Sequence, residues 1–129
     1  MPEPQGLIIR GRLPTLNEMM NAKRQRYGGQ ADGYSVMKKK AEQLIGECIL
    51  AAGLQPMKSP VAVEFIWCAT DRRTDPDNIA AGKKFILDAL VTHGVLEDDG
   101  WKQVAGFMDR FKVDKGNPGV EVLITEVTD

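Results

Sequence analysis

The run V-A-V-E-F-I-W-C-A-T at residues 61–70 constrains the fold more than any other stretch of the chain. It is rich in β-branched and aromatic side chains, its apolar residues fall at both parities, and only Glu64 interrupts it. Such a run reads as a central strand covered on both faces. A strand of that kind needs neighbours on either side and helices to cover it. Its C-terminal end delivers the chain to Asp71, the start of an acid-rich stretch that extends to Trp101.

The other elements follow from period and punctuation. Residues 6–13, G-L-I-I-R-G-R-L, read as a first strand ended by Pro14, with Arg10 and Arg12 on one face. An irregular or short-helical arm follows, closed by Gly28, Gly29 and Gly33, and it holds Asn17, Asn21, Lys23, Arg24, Arg26 and Tyr27. Amide and basic side chains around an aromatic suit a phosphate backbone, and they equally suit a solvated loop. Over residues 34–52, Met37, Ala41, Leu44, Ile45, Cys48, Ile49 and Ala52 recur at three and four, the pattern of a helix that Gly53 stops. A second helix is predicted from about Asn78 to Val91, capped by Asp77 or Asn78 and stopped near Gly94. Residues 102–113 and 120–127 read as strands, and the D-K-G-N-P-G between them predicts an antiparallel hairpin. The expected fold is α+β, a mixed sheet of about four strands with two helices packed against it.

With 129 residues the chain fits one domain, 1–129. Its 43% hydrophobic and 27% charged residues exclude an intrinsically disordered chain. No run approaches the roughly 20 apolar residues of a membrane span, and the start lacks a signal-peptide profile. A cytoplasmic protein with no membrane partner is the expectation. Cys48 and Cys68, each beside apolar neighbours, read as small buried hydrophobes. The net charge of −1 hides an asymmetry, since the first 60 residues are basic and the remainder acidic. An acidic centre beside a basic arm suits a metal site next to a phosphate-binding surface.

The acid-rich stretch carries the chemistry. Asp75 and Asp77, two apart in an extended segment, project the same way, and Pro76 biases Asp75 toward that extended shape. On a helix, Lys84 and Asp88 fall within roughly 20° of the direction of Asp77. Asp99 begins a turn with Gly100 and is placed to complete a ligand set. Mg²⁺ and Mn²⁺ prefer hard oxygen donors of this kind. A cation there polarises a phosphodiester and activates water, while a lysine behind it neutralises charge that develops in the transition state. A metal-dependent nuclease is the chemistry these residue types support. With His93 as the single histidine, Ser–His–Asp and Cys–His mechanisms have little to stand on, and no Walker A or G-x-G-x-x-G loop occurs. The same residues also have a plain reading. D-P-D-N is a good turn and helix cap, E-D-D-G is a good turn, and Lys84 with Asp88 makes an ordinary i, i+4 pair.

The segments R-R-T-D-P-D-N, K-K-F-I-L-D-A-L and G-V-L-E-D-D-G-W, with the early L-P-T-L-N-E-M-M-N-A-K-R, resemble the RusA-type Holliday-junction resolvases, a family common in phages and prophages. The likeness covers most of the chain. It implies that Asp75, Asp77 and Asp99 are the catalytic, metal-binding carboxylates, that Lys84 is a catalytic helper, and that the cofactor is Mg²⁺ or Mn²⁺. Six residues separate Asp77 from Lys84, a longer spacing than expected, so Lys83 is an alternative for that role, and Gly82 marks the adjustment. The resemblance also implies a homodimer that nicks opposite strands of four-way or branched DNA in recombination and repair. The candidate DNA contacts are Asn17, Asn21, Lys23, Arg24, Arg26, Arg72, Arg73 and Lys83. The alternatives are a branched-DNA-binding protein without useful catalysis and a nuclease acting on flaps or forks. The site reading depends on Asp75, Asp77 and Asp99 meeting closely enough to share one cation.

Overall fold

A computed structural model of the protein describes residues 3–24 and 33–127. In chain order the elements are β1 (Gln5–Arg10), α1 (Leu16–Lys23), α2 (Gly33–Ala52), β2 (Val61–Ala69), α3 (Pro76–Ala80), α4 (Lys83–Thr92), β3 (Val104–Val113) and β4 (Gly119–Glu126). The strands form one mixed sheet in the order β1-β4-β2-β3. β2 and β3 are parallel, and β4 runs antiparallel to both β1 and β2. The fold is α+β, as the element order predicts, with α2 and α4 packed together as the principal helices.

Burial in β2 alternates residue by residue. Val61, Val63, Phe65 and Trp67 are buried, whereas Ala62, Glu64, Ile66 and Cys68 are only partly covered. This corrects the expectation of a strand covered on both faces. The helices cover the odd-numbered face alone, where β2 meets Leu7 and Ile9 of β1 and Val120, Val122 and Ile124 of β4. Phe85, Ile86 and Leu90 of α4 and Ile45 and Ile49 of α2 close the core from the other side. Each such side chain contributes about 1.5–3 kcal/mol on burial. The opposite face keeps Ile8, Met108 and Leu123 half-exposed around Ile66.

The predicted β3–β4 hairpin does not form. Both strands pair with β2, one on each side, so the D-K-G-N-P-G segment crosses the C-terminal end of β2. The Asp114 N–H donates to the Ala69 carbonyl at 2.8 Å, pinning that crossing in place. The bridged gap is about two strand spacings, roughly 10 Å, well within reach of five residues. Turn chemistry reported a reversal of direction correctly, but the partner strand was set by long-range burial.

β1 ends at Gly11, whose φ of +96° turns the chain, so Arg10 and Arg12 are separated by a bend rather than sharing a strand face. Arg12 instead forms a paired contact with Glu18, at 2.7 Å and 2.8 Å. The second predicted helix is two helices, α3 and α4, broken at Ala81 and Gly82. Pro76 moves the start forward, and Asp75, not Asp77 or Asn78, occupies the N-cap position. Gly82 is buried at the joint, where an added Cβ would stand 3.3 Å from the Leu13 Cβ and 3.5 Å from Trp67. The joint lies that close to β2 because nothing projects from it. His93 ends α4 with its backbone N–H donating to Ala89, and its ring lies against Gly46 of α2.

Both cysteines are free and half-buried, and burial pushes each thiol above its ordinary pKa, so they behave as apolar filling. Among the described residues no helix is long and apolar enough to cross a membrane.

Candidate active site

The C-terminal end of β2 opens into the loop 70–74, where the Asp71 carboxylate accepts from the Arg73 N–H at 2.9 Å. That local turn aims the chain into α3. Asp75 has φ −66° and ψ 148°, the extended shape that a following proline favours. Asp77 already lies in the first turn of α3, so the two carboxylates do not project from one extended segment. An aspartate at an N-cap ordinarily spends its carboxylate on the backbone N–H groups of the first turn. Asp75 makes no such bond; only its backbone carbonyl accepts from Asn78 and Ile79. Asp75 and Asp77 are both exposed, and among the described residues neither side chain has a hydrogen-bond or ion-pair partner.

Asn78 has a different task. Its side-chain oxygen accepts from the Asn17 backbone N–H at 2.9 Å, which fastens the start of α1 to α3. The Thr15–Glu18 capping box and the Arg12–Glu18 pair hold that same end of α1. Contact with the Arg12 guanidinium lowers the Glu18 pKa to about 2. Asn17 is therefore carried on α1 at the start of α3, and Asn21 lies one turn further along α1. Lys23, at the end of α1, stands 5.0 Å over the Tyr34 ring, and Arg24 is exposed. Arg26 and Tyr27 lie outside the described residues. Arg72 is exposed, and Arg73 remains highly exposed while reaching Asp71 at only 3.9 Å.

The two adjacent lysines of α4 separate cleanly. Lys83 points to the sheet, where its ammonium donates to the Asp109 Oδ2 at 2.7 Å and lies 4.5 Å from the Phe107 ring centre and 5.3 Å from that of Phe65. The Trp67 indole N–H donates to the other oxygen of Asp109 at 2.8 Å. Lys83 is thereby paired within the framework. Lys84 is exposed and donates to the Asp88 Oδ1 at 3.1 Å. That hydrogen bond, then the charges of Asp88 and Asp99, raise its pKa, so its ammonium stays charged. Lys38 of α2 approaches the same Asp88 at 3.8 Å. In the D-D pair, Asp98 accepts from the Asp99 N–H at 2.8 Å and so serves the turn, leaving the Asp99 carboxylate toward Lys84.

The local contacts of these residues fall on two elements. Asp75 and Asp77 sit with Asn17 and Asn78 at the start of α3, and Lys84 sits with Asp88 and Asp99 along α4. Among the described residues no three His, Cys, Asp or Glu side chains form a group able to hold a metal ion. Asp99 does not join the other two carboxylates in such a group. The break at Ala81–Gly82 also removes the continuous helix on which Asp77, Lys84 and Asp88 were expected to align. The donor chemistry nevertheless fits a divalent cation. Mg²⁺ keeps several waters and is ordinarily held by one or two carboxylates plus substrate phosphates, and two unspent carboxylates are present.

Reading the sequence missed Asp109 and Trp67, which settle the direction of Lys83, and Tyr34, which lies between Lys23 and the α4 surface. No local signal marks them, since each sits within an ordinary strand or helix pattern. It also missed a cleft of about 310 Å³ beside Asp75, between α3 and the ends of β2 and β3. No curated protein matches this chain. The family model for endodeoxyribonuclease RusA matches residues 14–125, which takes in the arm, both halves of the site and all of the sheet but β1, and the chain belongs to that family.

Proposed function

We propose that the protein is a Mg²⁺- or Mn²⁺-dependent endonuclease that resolves four-way DNA junctions by paired nicks in opposite strands. The observation that carries this reading is the unspent carboxylate of Asp75. A cap residue whose side chain makes no cap bond, beside a second free aspartate, is hard to explain as a stability device and easy to explain as a ligand pair. Membership of an endodeoxyribonuclease family supplies the substrate class.

Asp75 and Asp77 would hold the cation. When bound, it supplies Lewis acidity at the phosphate and a water of lowered pKa. The chain's own residues do the rest. Lys84, charged and oriented by Asp88 and Asp99, offers a positive group to the phosphate oxygens, where charge builds up in the transition state. Its raised pKa suits that electrostatic role and not proton abstraction. Asp99 positions Lys84, and enters the ligand set only if the α4 group closes on the α3 group around bound DNA. Asn17, Asn21, Lys23, Arg24, Arg72 and Arg73 are the residues assigned to contacts with the DNA backbone.

A homodimer is part of the proposal. A junction with approximate two-fold symmetry is cut symmetrically by two sites related by a two-fold axis. The uncovered sheet face, with Ile8, Met108 and Leu123 half-exposed, supports pairing with a second copy. It lies opposite the helices and leaves the α3 and α4 groups open.

The test is cleavage of a synthetic four-way junction in Mg²⁺ by the wild type and by Asp75→Asn. Wild-type cutting with loss of cutting but retained binding in the variant is the expected result. Unchanged cutting by the variant removes Asp75 from the site. Tight binding with no cutting in Mg²⁺ or Mn²⁺ identifies a structure-binding protein instead, and faster cutting of flaps or forks reassigns the substrate.

A further inference from the structure

We infer that the cleft beside Asp75 is a pocket for one unpaired nucleobase of the DNA, adjacent to the phosphate to be cut. This inference rests on the nuclease reading above. The cleft lies at the C-terminal ends of the parallel strands β2 and β3, the place where an α/β crossover leaves a crevice for ligands. Its volume of about 310 Å³ is at the lower end of the range for small-molecule sites, the size of a single ring system rather than a nucleotide chain.

The walls have the chemistry of a base. Trp67 and Phe111 are direct neighbours across β2 and β3, so two aromatic side chains share one face of the sheet. Trp67 is held by its bond to Asp109, while Phe111 is 41% exposed, an aromatic surface left open at the mouth. Pro76 and Ile79 of α3 form the opposite side. Stacking on aromatic side chains accepts any of the four bases, because every base has a π face. Arg72 and Lys112 stand at the rim, where the phosphates on either side of an inserted base would pass. Asp75 lines the same cleft, so a base seated there has its own backbone at the candidate cation ligands.

A paired base can reach such a pocket only after unstacking and unpairing, whereas a base at a branch point is already loosened. The pocket therefore favours branched over linear duplex DNA without reading sequence. Structure selection then arises at the active site itself and not only from the spacing of two subunits.

The experiment measures binding, with divalent metal withheld, to a set of four-way junctions that each lack one base near the branch point. Two variants empty or plug the cleft from exposed positions, Phe111→Ala and Val113→Phe. The expected result is that both weaken binding to the intact junction by about tenfold, the scale of one lost base stack. One abasic position should weaken the wild type equally while leaving Phe111→Ala unchanged. Quenching of 2-aminopurine in a short single strand, by the wild type and not by Phe111→Ala, is the second readout. Junction cutting with no effect of either variant and no quenching overturns the pocket and leaves the nuclease reading intact. Quenching by a wild type that neither binds nor cuts junctions overturns the junction reading and keeps the base pocket. Loss of binding by the variants that is equal at every abasic position also overturns the pocket.

Discussion

The Lys83 ammonium and the Asp109 carboxylate meet at 2.7 Å between α4 and β3, with the Trp67 indole on the second carboxylate oxygen. Adjacent helical residues point about 100° apart, so only one of two consecutive lysines can face the sheet. Asp109 selects Lys83, and Lys84 is left outward beside Asp88. Removing Asp109 leaves a partly buried ammonium and an indole N–H without their acceptor. We expect Asp109→Ala and Lys83→Ala each to lower stability by about 2 kcal/mol, read from urea midpoints. Lys84→Ala should change stability by less than about 0.5 kcal/mol, as for an exposed pair. The reverse ranking would exchange the roles of the two lysines.

Lys84→Ala should act on chemistry instead. Its expected effect is a roughly hundredfold loss of cleavage rate, the scale of removing one group that stabilises transition-state charge. Junction affinity should change little. Single-turnover cutting and equilibrium binding, measured on the same junction, separate the two. Equal losses in both would make Lys84 a DNA anchor.

The Glu18 contacts give a pH dependence with a definite sign. The folded-state pKa of Glu18 is lowered from 4.5 to about 2, chiefly by the Arg12 hydrogen bond. A group with a depressed folded pKa stabilises fully above its unfolded value, and the contribution is lost as the pH falls toward the folded one. The thermal stability gap between the wild type and Glu18→Gln should therefore be complete near neutral pH and shrink from about pH 4.5 toward about pH 2. A gap that widens on acidification would show that Glu18 is not held as its carboxylate.

Gly119 begins β4 with a φ of +151°, and a Cβ there would overlap the Ile9 carbonyl oxygen. It pairs with Arg10 on one side and Cys68 on the other, so neither neighbour can withdraw without opening the sheet. Gly119→Ala should lose at least about 2 kcal/mol. Calorimetric melting tests this, and a wild-type melting temperature would contradict it.

The uncovered sheet face makes a separate prediction. Replacing both Met108 and Leu123 by Glu puts charges on half-exposed positions of the same face, next to Glu64. The wild type should elute as a dimer and the double variant should fold and elute as a monomer, as read by light scattering. A variant that stays dimeric would move the interface elsewhere.

The sequence disclosed what is locally encoded. α2 was predicted at 34–52 and runs from Gly33 to Ala52, because its apolar residues recur at helical spacing with Gly53 behind them. β2, β3 and β4 also lie within about two residues of their predicted bounds. What escaped was non-local. Ala62, Ile66 and Cys68 look buried in sequence, since an apolar residue on an uncovered face has the same letter as one in the core. The strand partners of β4 depend on β1 and β2, far away in the chain, and no turn signal reports them. At the site, Asp75, Asp77, Asp99 and Lys84 stand out in the sequence only as candidates by type and spacing, and the relation of Asp77 to Lys84 depends on the joint at Gly82. Which of Lys83 and Lys84 faces the sheet depends on an aspartate 26 residues downstream of Lys83.

β4 is the last of the four strands in sequence and sits in the interior of the sheet, between β1 and β2. β2 and β3 pair directly with each other, whereas β1 touches the sheet only through β4, so a chain that lacks β4 has no ladder by which its first strand can join the rest.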